Sequence, residues 1–334
     1  MGATLMSKIL VRNFNDSINS KTGMPIPDGK PRRGTPEWHE FEDVLFKALE
    51  ESDWEVVKQL ENPKIPDIDG DFDRYGYVHK TNRDHPKGSL FWMQMHMRDL
   101  FTVDRTGWGV DHSDNDPGMF YELGDDEVEW VANLSDELWK ENRSKIDQPK
   151  EVQCDLDVPF ILVPLQVPRD YTILWHSPIT VKYFVDSIQA WAHASKTHVA
   201  FKLHPCNRCD ADLINAVEEA ENVSRFCHKV EGSIHEIIKR SAGLFVINSG
   251  TGFESLVHGK PVATFGACDY ARVTYNADIR RLDEARRFIF DFTEEKEKIA
   301  RKFAYWYIHE HGFYLKSDLM QDNLKEYITR WTKN

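Results

Sequence analysis

Residues 244–270 read LFVINSGTGFESLVHGKPVATFGACDY. Leu244–Ile247 is a short apolar run with the length and composition of a buried strand. It runs directly into Asn248-Ser-Gly-Thr-Gly252, a turn rich in glycine and hydroxyls, after which a helical pattern begins. A second apolar run, Val262–Phe265, follows the break at Gly259-Lys-Pro261. The same alternation extends upstream. Phe160–Leu165 reads as a strand, Ile179–Ser195 as a helix and His198–Leu203 as a strand. Asp210–Ala220 follows as a helix, Ser224–Cys227 as a short strand and Ser233–Arg240 as a helix capped by Ser233. Strands alternating with helices at this spacing predict a mostly parallel sheet wound with helices, its crossovers right-handed. Ligands of such sheets bind at the carboxyl ends of the strands. The informative loops are therefore those after residues 165, 203, 247 and 265.

Up to about residue 150 the texture is different, rich in Pro, Asp, Gly and Trp. Ile9–Phe14 is expected as a first strand. Pro36–Leu60 reads as one amphipathic helix, with Trp38, Phe41, Val44, Leu45 and Leu49 on a stripe. Ser89–Met97 is apolar enough for a buried strand or a helix start. Asp125–Ile146 has helical spacing, and Asp147-Gln-Pro-Lys-Glu151 reads as a linker. The expected domains are residues 1–150, residues 151–285 and a closing helical segment, 286–334, packing back across both. That segment opens with the helix Glu294–His311, whose acidic first turn suits the positive end of the helix dipole.

The chain has 334 residues, of which 41% are hydrophobic, enough to build a sizeable core and to exclude a wholly disordered chain. Lys and Arg number 42 against 55 Asp and Glu, a formal net charge of −13. A dispersed acidic balance argues against nucleic acid as a partner, while leaving room for a local basic site. No apolar run is long enough for a membrane helix, and residues 1–19 contain no apolar core of a secretory signal. Five cysteines spread thinly along the chain suit a reduced, cytoplasmic setting.

Each expected strand end carries distinctive residues: Gln166-Val-Pro-Arg-Asp170, His204-Pro205, Asn248–Glu254 and Gly266-Ala-Cys-Asp-Tyr270. The third loop has the clearest mechanism. Backbone N–H groups at the start of the helix, with its dipole, make an anion site suited to a phosphate. Ser249 and Thr251 add hydroxyl donors, while Gly250 and Gly252 let the backbone approach closely. The competing explanation is a plain helix cap in a tight turn. His204 is placed to donate an imidazole N–H to the same phosphate, and Lys202 or Arg169 to add positive charge. Asp170 lies just beyond the first strand, in position to face the ligand edge, the competing reading being a turn or solvated residue.

The order PLQVPRD (164–170), FKLHP (201–205) and NSGTGFESLVHGKPVATFGACDY (248–270) resembles the bacterial capsule polysaccharide biosynthesis family. Its members include the retaining β-Kdo glycosyltransferases, which use CMP-activated 3-deoxy-manno-octulosonic acid. The family pattern has Pro-Leu-Gln with a following Asp, Lys-x-His-Pro, and Asn-Ser-x-x-Gly-Phe-Glu followed by Gly-Lys-Pro-Val. The likeness covers roughly residues 158–275. It implies a GT-B-like α/β architecture: two Rossmann-type domains facing a cleft, an acceptor-side domain at 1–150 and a nucleotide-binding domain at 151–285.

The resemblance further implies that Gln166, Lys202, His204, Pro205, Asn248, Ser249, Gly250, Thr251, Gly252 and Glu254 line the donor nucleotide. His204 and Ser249 would contact the CMP phosphate, and Glu254 the ribose or base. Asp170 is expected as the nucleophile. Asp104-Arg-Thr-Gly-Trp-Gly-Val-Asp111 stands where related enzymes carry an acidic-acidic-Gly motif; the doublet is absent, and Asp104 or Asp111 is left to supply acid/base help.

The activity expected is sugar transfer from a CMP-activated donor to a glycan or glycolipid acceptor, in the cytoplasm, either free or at the inner membrane face, and with no cofactor beyond the donor. The alternatives are a UDP- or GDP-sugar transferase or epimerase on the same fold, and a non-catalytic nucleotide- or glycan-binding protein of an assembly complex. No metal is expected, because a CMP donor carries a single phosphate. His204-Pro-Cys206-x-x-Cys209 lacks the upstream His-x-Glu of zinc deaminases. The acidic run Asp67–Asp73 does not match a calcium loop and reads as solvated.

Overall fold

The computed structural model describes residues 7–13, 36–60, 72–78, 80–83, 85–86, 88–114, 116, 118, 120–154, 156–207 and 210–333. Asp67–Asp71, Asp155 and Cys209, on which metal readings would turn, lie outside the described residues. Contacts divide the chain into two compact units. The first takes residues 1–95, 99–116 and 308–334; the second takes 96–98 and 117–307.

The first unit begins with β1 (Ser7–Asn13), α1 (Pro36–Glu50), β2 (Trp54–Leu60), β3 (Arg74–Val78), β4 (Leu90–Gln94) and β5 (Leu100–Asp104). β1 to β4 pair in parallel, and β5 runs antiparallel to β4. The single helix expected over 36–60 is a helix followed by a strand. The break falls at Asp53, whose φ of +65° is left-handed and ends the helical path.

The second unit contains α2 (Asp125–Glu141), β6 (Phe160–Pro164), α3 (Tyr171–His176), α4 (Val181–Ser195), β7 (His198–Lys202), α5 (Ala211–Val223), β8 (Cys227–Lys229), α6 (Ile234–Arg240), β9 (Gly243–Val246), α7 (Gly250–Val257), β10 (Val262–Thr264), β11 (Tyr275–Asn276), α8 (Leu282–Phe290) and α9 (Glu294–Trp306). Its six strands lie in the order β8-β7-β6-β9-β10-β11 and are parallel throughout. Chain order 3-2-1-4-5-6 is the doubly wound arrangement, in which the winding reverses between the first and fourth strands. That reversal falls between β6 and β9, so their carboxyl ends open onto the same crevice. The central strands read as apolar blocks because helices cover both faces: Phe160–Val163, Val199–Phe201 and Leu244–Val246 are buried without exception. Side-chain caps start the helices where the sequence places Thr, Asp and Ser, with Thr180, Asp210 and Ser233 accepting from Tyr183 N, Leu213 N and Glu236 N.

The chain then returns to the first unit as β12 (Phe313–Tyr314), antiparallel to β5, and α10 (Met320–Lys333). There α1 and α10 share one core, in which Phe41, Leu45 and Leu49 meet Leu324, Ile328 and Trp331. The units thus divide at 116/117 and 307/308, whereas the sequence suggested 150/151 and 285/286. The reason lies in α2: its Val131, Leu134 and Leu138 face is buried, and it packs on α6, α7 and α9 within the second unit. Asp147–Glu151 therefore runs inside a unit. Among the described residues no helix is long and apolar enough to cross a membrane.

Candidate active site

The loops after β6 and β9 are locked to each other by two amides. Gln166 Nε2 donates to Asn248 Oδ1 (2.8 Å), and Asn248 N donates back to Gln166 Oε1 (3.1 Å). Asn248 Nδ2 donates to the carbonyls of Thr172 (2.9 Å) and Ala267 (3.2 Å). These two residues, expected to touch the nucleotide, spend their polar atoms on holding three loops in register.

Beyond this lock, α7 starts at Gly250. Ser249 caps it, its Oγ accepting from Thr251 N (3.3 Å) and its carbonyl from Gly252 N (2.8 Å). The glycines are also set by packing. A Cβ on Gly252 would fall inside contact of the Tyr270 hydroxyl and 2.8–2.9 Å from its ring carbons Cζ and Cε2, so Tyr270 requires a glycine there. A Cβ on Gly250 would lie 3.3 Å from both Cα and Nδ1 of His96, a tighter fit than most. Tyr270 Oη in turn donates to the Ser249 carbonyl and fixes the cap from behind.

Lys202 ends β7 and is buried. Burial pushes its ammonium down to about 8, against the attraction of Glu231 and Glu254. Two residues on, His204 Nδ1 accepts from Cys206 N (3.1 Å), within the tight turn that Pro205 begins. The ring proton of the neutral imidazole therefore sits on Nε2, as a donor. Burial and the neighbouring Lys202 and Lys145 lower this histidine below its ordinary value, while Asp170 opposes them. Pro205 shapes the turn.

Lys145 was not read from the sequence. Asn142 closes α2 early in the left-handed conformation, with a φ of +54°. The chain then carries Ser144 and Lys145 back over α7. Ser144 Oγ donates to Glu254 Oε1 (2.8 Å). Burial brings Lys145 to about 8, with Asp170 and Glu254 attracting it. Glu254 itself is buried and raised to about 7, chiefly by desolvation, which outweighs Ser144, Lys145 and Lys202. The resemblance gave Glu254 to a ribose or base; in the structure its Oε1 accepts from the chain's own Ser144. The signal for Lys145 was there in Glu141-Asn-Arg-Ser-Lys145, where an asparagine is a common helix terminator.

Asp170 stands at the exposed rim as the cap of α3, its Oδ1 accepting from Thr172 N (2.9 Å) and Thr172 Oγ1 (2.7 Å). Lys145 and His204 both feel its charge. Asp170, the half-buried Lys145, the buried Lys202 and the His204 imidazole thus form one electrostatic group at the winding reversal. Such an arrangement is suited to an anion, with a carboxylate beside it.

The other two expected carboxylates lie in the first unit and are otherwise engaged. Asp104 Oδ1 accepts from Thr106 N (2.8 Å), Thr106 Oγ1 (2.5 Å), Gly107 N (3.3 Å) and Ser113 N (2.9 Å), and Oδ2 from Ser113 Oγ (2.5 Å). Buried at the end of β5, it is held below the usual range: desolvation works upward, but His112 and the hydrogen bonds of Ser113 and Thr106 prevail. A carboxylate so saturated organises its loop and is a poor proton carrier. Asp111 is taken by Arg83, whose Nε (3.1 Å) and Nη2 (2.7 Å) hold one carboxylate oxygen each. Both carboxylates expected to give acid/base help are thus engaged by neighbouring groups of the first unit.

The family described as capsule polysaccharide biosynthesis protein matches residues 121–288, the stretch that builds this site. The chain belongs to this family. Among solved structures, the capsule-family chain is similar to KpsC of Thermosulfurimonas dismutans, a beta Kdo 2,7 transferase, at 16% identity and TM-score 0.50. That match covers 98% of this chain and 99% of the other. It is also similar to the beta Kdo 2,4 transferase of the same KpsC, at 13% identity and TM-score 0.46, over 85% and 93% of the two chains. No curated protein matches it. The likeness to the first is one of fold, GT-B-like α/β with two mostly parallel sheets. Among the described residues no cluster of three or more His, Cys, Asp or Glu is placed to hold a metal ion.

Proposed function

We propose that this capsule-family chain is a glycosyltransferase that moves a sugar from a nucleotide-activated donor onto a glycan or glycolipid acceptor. The donor is a CMP-activated ulosonic acid, Kdo or a relative of it. The observation that carries this reading is the coupling of Lys145 and His204 to Asp170, and of Lys145 and Lys202 to Glu254 on α7. Breaking a glycosyl–phosphate bond leaves a growing negative charge on the phosphate. Two ammonium groups, an Nε2–H and the positive end of the α7 dipole beside that charge stabilise it without reorganising, each donor contributing about 3 kcal/mol. A single phosphate is balanced by the two lysines, so the reading needs no metal.

The carboxylate supplies the other half of the chemistry. Asp170 attacks the anomeric carbon as the C–O bond to phosphate breaks, the electron pair passing to the phosphate oxygen. The acceptor oxygen then displaces Asp170 and restores the original configuration, the double displacement that paired groups of this kind support. A glycolipid acceptor would bring the enzyme to the inner face of the membrane.

Thermal unfolding with nucleotides tests the reading. CMP should raise the midpoint more than UMP or GMP, and Asp170→Asn should keep the CMP response while losing transfer from a CMP-sugar. Equal or stronger stabilisation by UMP would move the donor to another nucleotide. Undiminished transfer by the Asp170→Asn enzyme would remove the nucleophile.

A further inference from the structure

His96 has no place in the reading above, yet its surroundings are those of a proton-transfer group. Its Nε2 lies 3.1 Å and 3.2 Å from the two carboxylate oxygens of Asp269. That carboxylate is buried and also accepts from Tyr307 Oη (2.5 Å). The imidazole is clamped, stacked on Phe253 at 4.8 Å and 24° and set edge-on to Tyr270 at 5.3 Å and 85°. Its side chain is 8% exposed. With Nε2 pinned on Asp269, the working nitrogen is Nδ1, which has no hydrogen-bond partner among the described residues. Nδ1 lies beside Gly250, the first residue of α7. A histidine oriented by a carboxylate, with its second nitrogen turned to a reacting group, is the recurring geometry of acid/base catalysis.

We propose that His96, oriented by Asp269, is a catalytic residue of this site: its Nδ1–H bonds the phosphate held at the start of α7 and carries the proton of the reaction. The inference rests on the glycosyl-transfer reading. As the glycosyl C–O bond breaks and its electron pair passes to the phosphate oxygen, the Nδ1 proton moves to that oxygen. The imidazole is left neutral, with its remaining proton on Nε2 against Asp269. In the second displacement the acceptor enters the face the phosphate left. Its hydroxyl proton returns to Nδ1 as its oxygen bonds the anomeric carbon and Asp170 is released. One group serving as acid and then as base balances the cycle.

The groups facing His96 are few. Asp269, Tyr270 and Tyr307 surround it, with Cys268 behind Asp269. Burial pushes both tyrosines and the Cys268 thiol well above their ordinary ranges, so none of these three changes charge near neutrality. Arg98, on the same loop, is occupied by the Ser144 carbonyl and Asp147.

The experiment is calorimetric titration of the full chain with CMP. His96→Gln should weaken CMP about tenfold, the loss of one donor to a charged phosphate. Asp269→Asn, nearly isosteric, should also weaken CMP, and it serves if His96→Gln does not fold. Wild-type affinity in both variants overturns the proposal. A wild-type chain that binds neither CMP nor inorganic phosphate overturns the transfer reading on which it rests.

Discussion

Ser144 Oγ donates to Glu254 Oε1 across 2.8 Å, and through this bond the loop after α2 is closed over the first turns of α7. The carboxylate it holds is buried between two lysines, yet desolvation prevails and raises it to about 7 from its usual 4.5. Between those values the folded protein keeps a proton that the unfolded chain has lost. Stability therefore falls as pH rises through that window. Glu254→Gln removes this titration. The variant's unfolding midpoint relative to wild type should improve from about pH 5 to about pH 7.5, as thermal unfolding across that range would read. A difference constant with pH would mean that the carboxyl is ionised throughout.

The two lysines set the opposite limit. Burial lowers Lys145 and Lys202 to about 8, so each begins to lose its charge just above neutrality. An anion in the site loses its partners as pH climbs through that value. CMP should therefore bind more weakly at pH 9 than at pH 7 by calorimetry. Lys202→Met should cost about tenfold at pH 7. Lys202→Arg should flatten part of the alkaline fall, because a guanidinium stays charged. Affinity independent of pH would place the anion elsewhere.

Asp170 holds two roles that substitution separates. As the cap of α3 it accepts from Thr172 N and Oγ1, and an asparagine caps a helix about as well. Asp170→Asn should therefore unfold near the wild-type temperature, whereas Asp170→Ala should lose about 1 kcal/mol. Neither should transfer sugar from a CMP-activated donor. Transfer by the asparagine variant but not the alanine variant would reduce Asp170 to a helix cap.

The winding of residues 160–265 was legible because parallel strands covered on both faces appear as apolar blocks such as Phe160–Val163 and Leu244–Val246, separated by capped helices. The four strand-end loops followed directly from it. What the sequence concealed depends on pairing over distance. Gln166 and Asn248 both stand out as polar residues at strand ends, but nothing in the chain announces that they face each other. His96 stands alone in an apolar stretch, and its partner Asp269 is 173 positions away. Local conformation hid the rest. A left-handed Asp53 turns an apparent helix into helix and strand, and a left-handed Asn142 ends α2 early enough to deliver Lys145 to the site. Both residues are of the types that tolerate this conformation, though the surrounding periodicity runs on as if no break existed.

Gly252 ties the anion loop to the packing behind it. A methyl group there meets the hydroxyl, Cζ and Cε2 of the buried Tyr270, the residue that donates to the Ser249 carbonyl. Gly252→Ala must move the tyrosine or the helix start, and overpacking of this kind costs about 1–3 kcal/mol. CMP binding should fall with it, since the Ser249 cap is displaced. Tyr270→Phe removes the nearest atom but not the ring carbons, so Gly252→Ala combined with Tyr270→Phe should recover part of the lost stability. The phenylalanine no longer anchors the Ser249 carbonyl, and CMP affinity should stay low. A double-mutant cycle read by thermal unfolding and CMP titration separates the two quantities. Recovery of both together would show that Tyr270 only fills space, and recovery of neither would mean that the methyl group acts on α7 directly.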